Sequence, residues 1–255
     1  MRLGGRPSRA IVFVILLAGI VAFAFAQSHE RAPAVLLQKD VLNWQDAARQ
    51  VGAMRRDNAD AWQKLDAEAA AAGGAPPQRV TAPGSAPELL QYMGWLRGKI
   101  LAGHADARYA YATAIDLGFM LQGGPEYLQG AAVFIYNARL SLAIDGARCA
   151  GQGSAETVAA EYESQNPLRD LAQKVAALSP RDKASALLEA IAIEQVRGAA
   201  GPTRAWLCNR APPAAPRAGQ PVLAGGAPQF LPEREWRKSR ARILERETRR
   251  AAADL

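Results

Sequence analysis

The chain has 255 residues, 49% of them apolar and 22% charged, with 16 Pro, 22 Gly and only two each of Cys and His. The length suits one large domain or two small ones. The composition excludes a disordered chain, a disulfide-dense scaffold and a zinc ribbon.

The first 26 residues carry the pattern of an export signal. Arg2, Arg6 and Arg9 form a basic lead without an acid, and Ala10 to Ala26 is apolar throughout. The run closes on Ala24-Phe25-Ala26, a small-x-small cleavage pattern. Its seventeen residues, as a helix, reach about 25 Å, short of the ~30 Å hydrocarbon core. The expectation is therefore a cleaved signal and a periplasmic protein, with an uncleaved inner-membrane anchor as the alternative. Of the formal charge of +7, three positive charges lie in this segment. From Ala211 onward nine basic residues face five acidic ones, which leaves residues 27–210 formally neutral. A basic excess confined to a signal and a tail on an exported chain does not predict nucleic-acid binding.

Cys149 and Cys208 are the only thiols. In an oxidising compartment they are expected to pair, and the absence of a C-x-x-C motif argues against redox chemistry.

In chain order, residues 27–39 read as a spacer. Asp40 to about Ala72 reads as one long helix, or two broken near Asp57-Asn58. A Gly/Pro-rich linker runs to residue 84, and the helical core is expected over 85–210. Ser85 to Glu88 has the spacing of a capping box. The helix after it carries Leu89, Leu90, Met93, Trp95, Leu96 and Ile100 and ends near Gly103. A second helix follows over Ala105 to Gln122, then a third over Tyr127 to Asp145, apolar on nearly every face and so expected at the centre of the core. Asn166-Pro167 and Ser179-Pro180 each place a capping residue before a proline, with an acid two or three residues on, and each predicts a helix start. No run alternates at period two, so the fold class is all-α: a compact bundle-like domain with a long N-terminal helix. Residues 211–230 form a Pro/Ala/Gly linker to a charged, linker-connected C-terminal helix over 231–255. Glu233/Arg237 and Glu245/Arg249 pair at i, i+4 there, which supports a solvated, lightly docked helix.

Candidate chemistry is sparse. Glu161-Tyr-Glu-Ser-Gln-Asn-Pro167 resembles the E-S-x-aromatic-N-P signature of lytic transglycosylases, exported and mostly helical enzymes. The resemblance implies Glu163 as a general acid on a glycosidic oxygen. The aromatic residue before Asn-Pro and the family's following G-L-M-Q segment are missing. Ala112 to Gly124 resembles a helical-hairpin repeat unit, but no second copy follows at a fixed period. His104 falls in a turn and reads as a surface residue. Asp116, Asn137, Arg139 and Asp145 lie inside apolar helices, where a structural ion pair or a small-molecule cleft is expected. No metal site or cofactor site is read from the sequence. The leading expectation is an accessory protein that binds an envelope protein partner. Trp236, Arg237, Arg240, Ile243 and Leu244 of the tail helix are the candidate contact residues, and the same helix could touch an anionic membrane surface.

Overall fold

The computed structural model describes residues 34–77, 86–119, 125–149, 155–198, 205–208 and 230–255. These are helical with short turns and form no strand, so the protein is all-α. The helices are α1 (34–57), α2 (Ala59–Ala71), α3 (Ala86–Leu101), α4 (Ala107–Phe119) and α5 (Pro125–Gly146). After them come α6 (Ala155–Glu163), α7 (Leu168–Ala176), α8 (Pro180–Arg197), the single turn α9 (Ala205–Cys208) and α10 (Glu233–Ala253). Within the described residues no helix is long and apolar enough to cross a membrane. The apolar run 10–26, the hydroxyl of the Ser85 capping box and most of the 211–230 linker lie outside those residues.

Several helix boundaries follow from local chemistry. Asn58 interrupts the N-terminal helical stretch, which divides into α1 and α2. Residues 34–39 are helical, so the second half of the expected spacer belongs to α1. Gly103 takes φ +74°, a backbone that side-chain-bearing residues avoid, and ends α3. Asp106 then caps α4 by accepting from the Arg108 N–H at 3.0 Å. At α8, Ser179 accepts from the Asp182 N–H at 3.1 Å and its hydroxyl donates to the Asp182 carboxylate at 2.7 Å, with Pro180 in the first turn. The parallel grammar at Asn166-Pro167 resolves differently. The peptide bond is cis, Pro167 itself precedes the helix at Leu168, and no side chain caps it.

The central position belongs to α5, which packs on α4, α6, α7, α8 and α10. From Ala131 to Ile144 only Tyr136, Arg139 and Ala143 are not buried. Phe134, Ile135 and Leu142 of α5 join Trp95, Leu96, Ile100, Tyr109 and Ile193 in the main core. Trp44 of α1 meets Phe134 edge-on, with ring centroids 5.9 Å apart, so α1 is part of the domain. Asp66 ties α2 to α3, accepting from the Trp95 indole at 2.7 Å and pairing with Lys99 at 2.6 Å. Burial pushes its carboxyl up, but the hydrogen bonds from Lys99 and Trp95 and the nearby positive charge outweigh that and hold it below the usual carboxylate range.

Gly94 and Gly98 lie one turn apart on α3, on the side that receives α1 and α2. A Cβ at Gly98 would sit 2.8 Å from the buried Trp62 ring and 3.0 Å from Val51. At Gly94 it would sit 2.7 Å from the terminal methyl of Met54, which can swing aside. Alanine gains about 1 kcal/mol of helix propensity at either site, whereas overpacking against a rigid ring costs about 1–3 kcal/mol. Gly98→Ala is therefore expected to lower stability by about 1 kcal/mol net and Gly94→Ala to be near neutral. Urea midpoints of the two variants check this.

The Asp40 carboxylate of α1 acts on Glu189 of α8 as a like charge. Both carboxyls are pushed up, chiefly by burial; Glu189 is raised further by the Asp40 charge, while Lys39 partly offsets the shift at Asp40. A raised native carboxyl binds its proton more readily than the unfolded chain does. Its cost to stability is thus absent below the ordinary carboxylate range, grows as pH rises through the raised native value, and is full above it. Glu189→Gln is expected to raise the melting temperature by about 1–2 °C at pH 7–8 and to give no gain near pH 4. Thermal melts at the two pH values decide it.

Cys149 and Cys208 form a disulfide that joins the end of α5 to α9. Cys149 also pairs in an isolated antiparallel bridge with Phe230, and the Leu231 N–H donates to the Arg148 carbonyl at 2.7 Å. The chain therefore enters α10 from the C-terminal end of α5.

Candidate functional site

The C-terminal helix is charged, as its sequence says, yet it is firmly seated. It packs on α8 and α5, and Trp236 is 4% exposed. The last four carbonyls of α5 lack partners within that helix. Those of Ala143, Asp145 and Gly146 accept from the N–H groups of Ala147, Arg148 and Cys149. The remaining one, on Ile144, accepts from the Trp236 indole N–H at 3.1 Å. The Arg148 guanidinium lies over the same indole, 3.7 Å from its ring centre. Ile243 and Leu244 are half-buried against a second apolar cluster of Leu140, Ile144, Leu187, Leu188 and Ile191. Arg240 donates to the Glu194 carbonyl. Of the five candidate contact residues on this helix, only Arg237 is exposed, and it pairs with Glu233 at 2.6 Å. The other four hold the helix to the body, which replaces the expected light docking with an anchored element.

Docking of α10 creates a cleft of about 350 Å³. Leu140 and Ala143 of α5, with Leu187 of α8, supply apolar surface at its base, and Tyr136 and Arg139 also line it. One wall is α6, with Ala155, Glu156, Ala159, Ala160 and Glu163; the other is α10, with Arg246, Glu247 and Arg250. Ala155, Ala159 and Ala160 of α6 leave space on that wall.

Glu163 lines this cleft, and its carboxylate is fully engaged. Arg139 donates to both oxygens, at 2.7 and 2.5 Å, and the Tyr111 hydroxyl donates to one of them at 2.9 Å. The hydrogen bond to Glu163 raises the Arg139 guanidinium above its usual value. Burial, followed by the negative charge of Glu163, pushes the Tyr111 hydroxyl up, so it stays a donor. A bidentate guanidinium pair of this kind occupies both carboxylate oxygens. A general acid instead needs a proton directed at the leaving oxygen. Glu163→Gln is accordingly expected to lower stability by about 1–2 kcal/mol by breaking the α5–α6 tie. An unchanged urea midpoint would restore the case for a carboxyl kept free for chemistry.

The other polar residues flagged in the apolar helices divide. Asn137 joins a buried network with Ser141, Glu194 and Arg197, while Arg139 faces the cleft. Asp116 and Asp145 are buried, and His104 is exposed at the α3–α4 turn. Among the described residues no group of three or more His, Cys, Asp or Glu is placed to share a metal ion.

On the α10 wall alone two arginines face one glutamate, although the cleft as a whole is lined by three arginines and three glutamates. Glu247, 14% exposed, lies between two arginines: one oxygen accepts from Arg246 at 2.8 Å, and the other lies 3.6 Å from Arg250. Both guanidiniums face outward, at 66% and 71% exposure. Glu156 stands on the facing wall and is exposed. The group is not visible in the sequence as a whole, because Glu156 lies about ninety residues before Arg246, Glu247 and Arg250 and meets them only once α10 docks. The one local signal is the i, i+4 spacing of Arg246 and Arg250 around a single glutamate.

Comparison with family models, with curated proteins and with solved structures gives no match.

Proposed function

We propose that the chain is an exported, periplasmic helical accessory protein that acts by binding another envelope protein, and that the cleft between α6 and α10 receives that partner. The observation that carries the reading is the cleft itself: apolar surface at its base, charged groups at its rim and a volume within the range of binding pockets. The apolar run 10–26 with its small-x-small ending supports export, and the Cys149–Cys208 disulfide suits an oxidising compartment. Glu163 serves this reading as a strut that fixes α6 beside α5, holding the wall in place.

The test is affinity recovery of the full chain from its own envelope fraction after mild crosslinking, comparing wild type with Ala160→Trp. Ala160 is exposed and lines the cleft, so an indole there fills the space without entering the core. Loss of a specific crosslinked protein with the filled cleft is the expected result. Equal recovery from both forms overturns the cleft as the binding site.

A further inference from the structure

We propose that the cleft recognises the C-terminal end of its partner's chain, with the α-carboxylate taken by Arg246 and Arg250 and an aliphatic last side chain seated on Leu140, Ala143 and Leu187. The inference rests on the protein-binding reading above and specifies its chemistry.

The charges of the α10 wall favour a carboxylate. Two guanidiniums share one carboxylate on the α10 wall, and the Arg250 contact, at 3.6 Å, is too long for a good hydrogen bond. Each guanidinium carries five N–H donors in a planar fork, and Glu247 has two oxygens to offer them. A second carboxylate brings the wall to two cations and two anions and can be held bidentately. The third arginine of the cleft does not compete, because both oxygens of Glu163 already occupy Arg139.

The size of the cleft favours a chain end. A cleft of about 350 Å³ lies near the lower end of ligand pockets. It suits one side chain and a terminal carboxylate better than a peptide segment running through. The apolar groups at the base lie beside the arginines, so a chain end can bury its last side chain while its charge stays at the rim. Glu156 on the facing wall adds direction: it accepts from backbone N–H groups upstream of the terminus and repels a second acid there.

The experiment uses the full chain and labelled hexapeptides Gly-Ser-Gly-Gly-Ala-X, where X is Ala, Val, Leu or Phe. Each is made with a free C-terminal carboxylate and as the amide, and binding is read by fluorescence anisotropy. At least one free acid is expected to bind, with its amide at least tenfold weaker. Arg246→Gln/Arg250→Gln is expected to weaken the acid at least tenfold and leave the amide unchanged. Both arginines are largely exposed, so their exchange has little effect on stability, and the acid–amide comparison on wild type needs no variant. Equal binding of acid and amide, or no binding by any of the four acids, overturns the terminal-carboxylate inference. Loss of the natural partner with Ala160→Trp in that case leaves the cleft as a protein site with different recognition. Undiminished partner recovery with Ala160→Trp overturns both.

Discussion

Glu194→Ala is expected to destabilise the protein by about 3–5 kcal/mol, the cost of leaving a buried charge without its partner. Glu194 is 1% exposed. One of its carboxylate oxygens accepts from Ser141 at 2.7 Å, from Arg197 at 3.0 Å and from Asn137 at 3.3 Å. The Arg197 side chain is 8% exposed, and its other nitrogen donates to the Ala105 carbonyl at 3.0 Å, which ties α8 to the turn before α4. Burial alone would push its guanidinium down; the charges of Glu194 and Asp145 outweigh that and raise it. Alanine removes the nearest anion and leaves Ser141 and Asn137 without their acceptor. Glu194→Gln keeps the shape and one acceptor oxygen, so its loss is expected to be smaller. Urea unfolding of the two variants orders them, and a loss under 1 kcal/mol for alanine would show the network to be dispensable.

Trp236→Ala is expected to cost a further 3–5 kcal/mol, because a buried indole leaves a large cavity. The Ile144 carbonyl loses its hydrogen bond and Arg148 loses the ring beneath it. Trp236→Phe restores most of the volume but not the donor, and about 1–2 kcal/mol should remain missing. Amide exchange locates the effect. Faster exchange in α10 than in α4 or α5 is expected for the alanine variant, and uniform acceleration would mean that α10 does not open separately.

The features legible in the sequence were those written in adjacent residues. Ser179-Pro180 announces α8 because its hydroxyl, ring and acid act within one turn, and Asn58 marks the break between α1 and α2. The all-apolar character of Ala131–Ile135 placed α5 at the centre. The disulfide was legible by elimination, since the chain holds only two cysteines. Glu194 was overlooked although it continues the stripe of Leu187 and Ile191, where an acid must face the core. The docking of α10 was underestimated for a different reason. Trp236, Ile243 and Leu244 make a narrow stripe, and its partners, an open carbonyl on α5 and the Arg148 side chain, cannot be inferred from the tail. The cleft is less legible still, being a product of two helices that share no sequence signal.

The seating of α10 also sets an order of events. Leu140, Ile144, Leu187, Leu188 and Ile191 are in place once α8 has been synthesised, but Trp236 and Ala251, which cover them, follow only with α10. At about 5–20 residues per second, the interval between α8 and the end of α10 lasts several seconds. During that time an apolar patch stays open on every nascent molecule. Until α10 emerges, this face of α5 and α8 lacks the cover of Trp236 and Ala251, and the cluster closes only when that helix is complete.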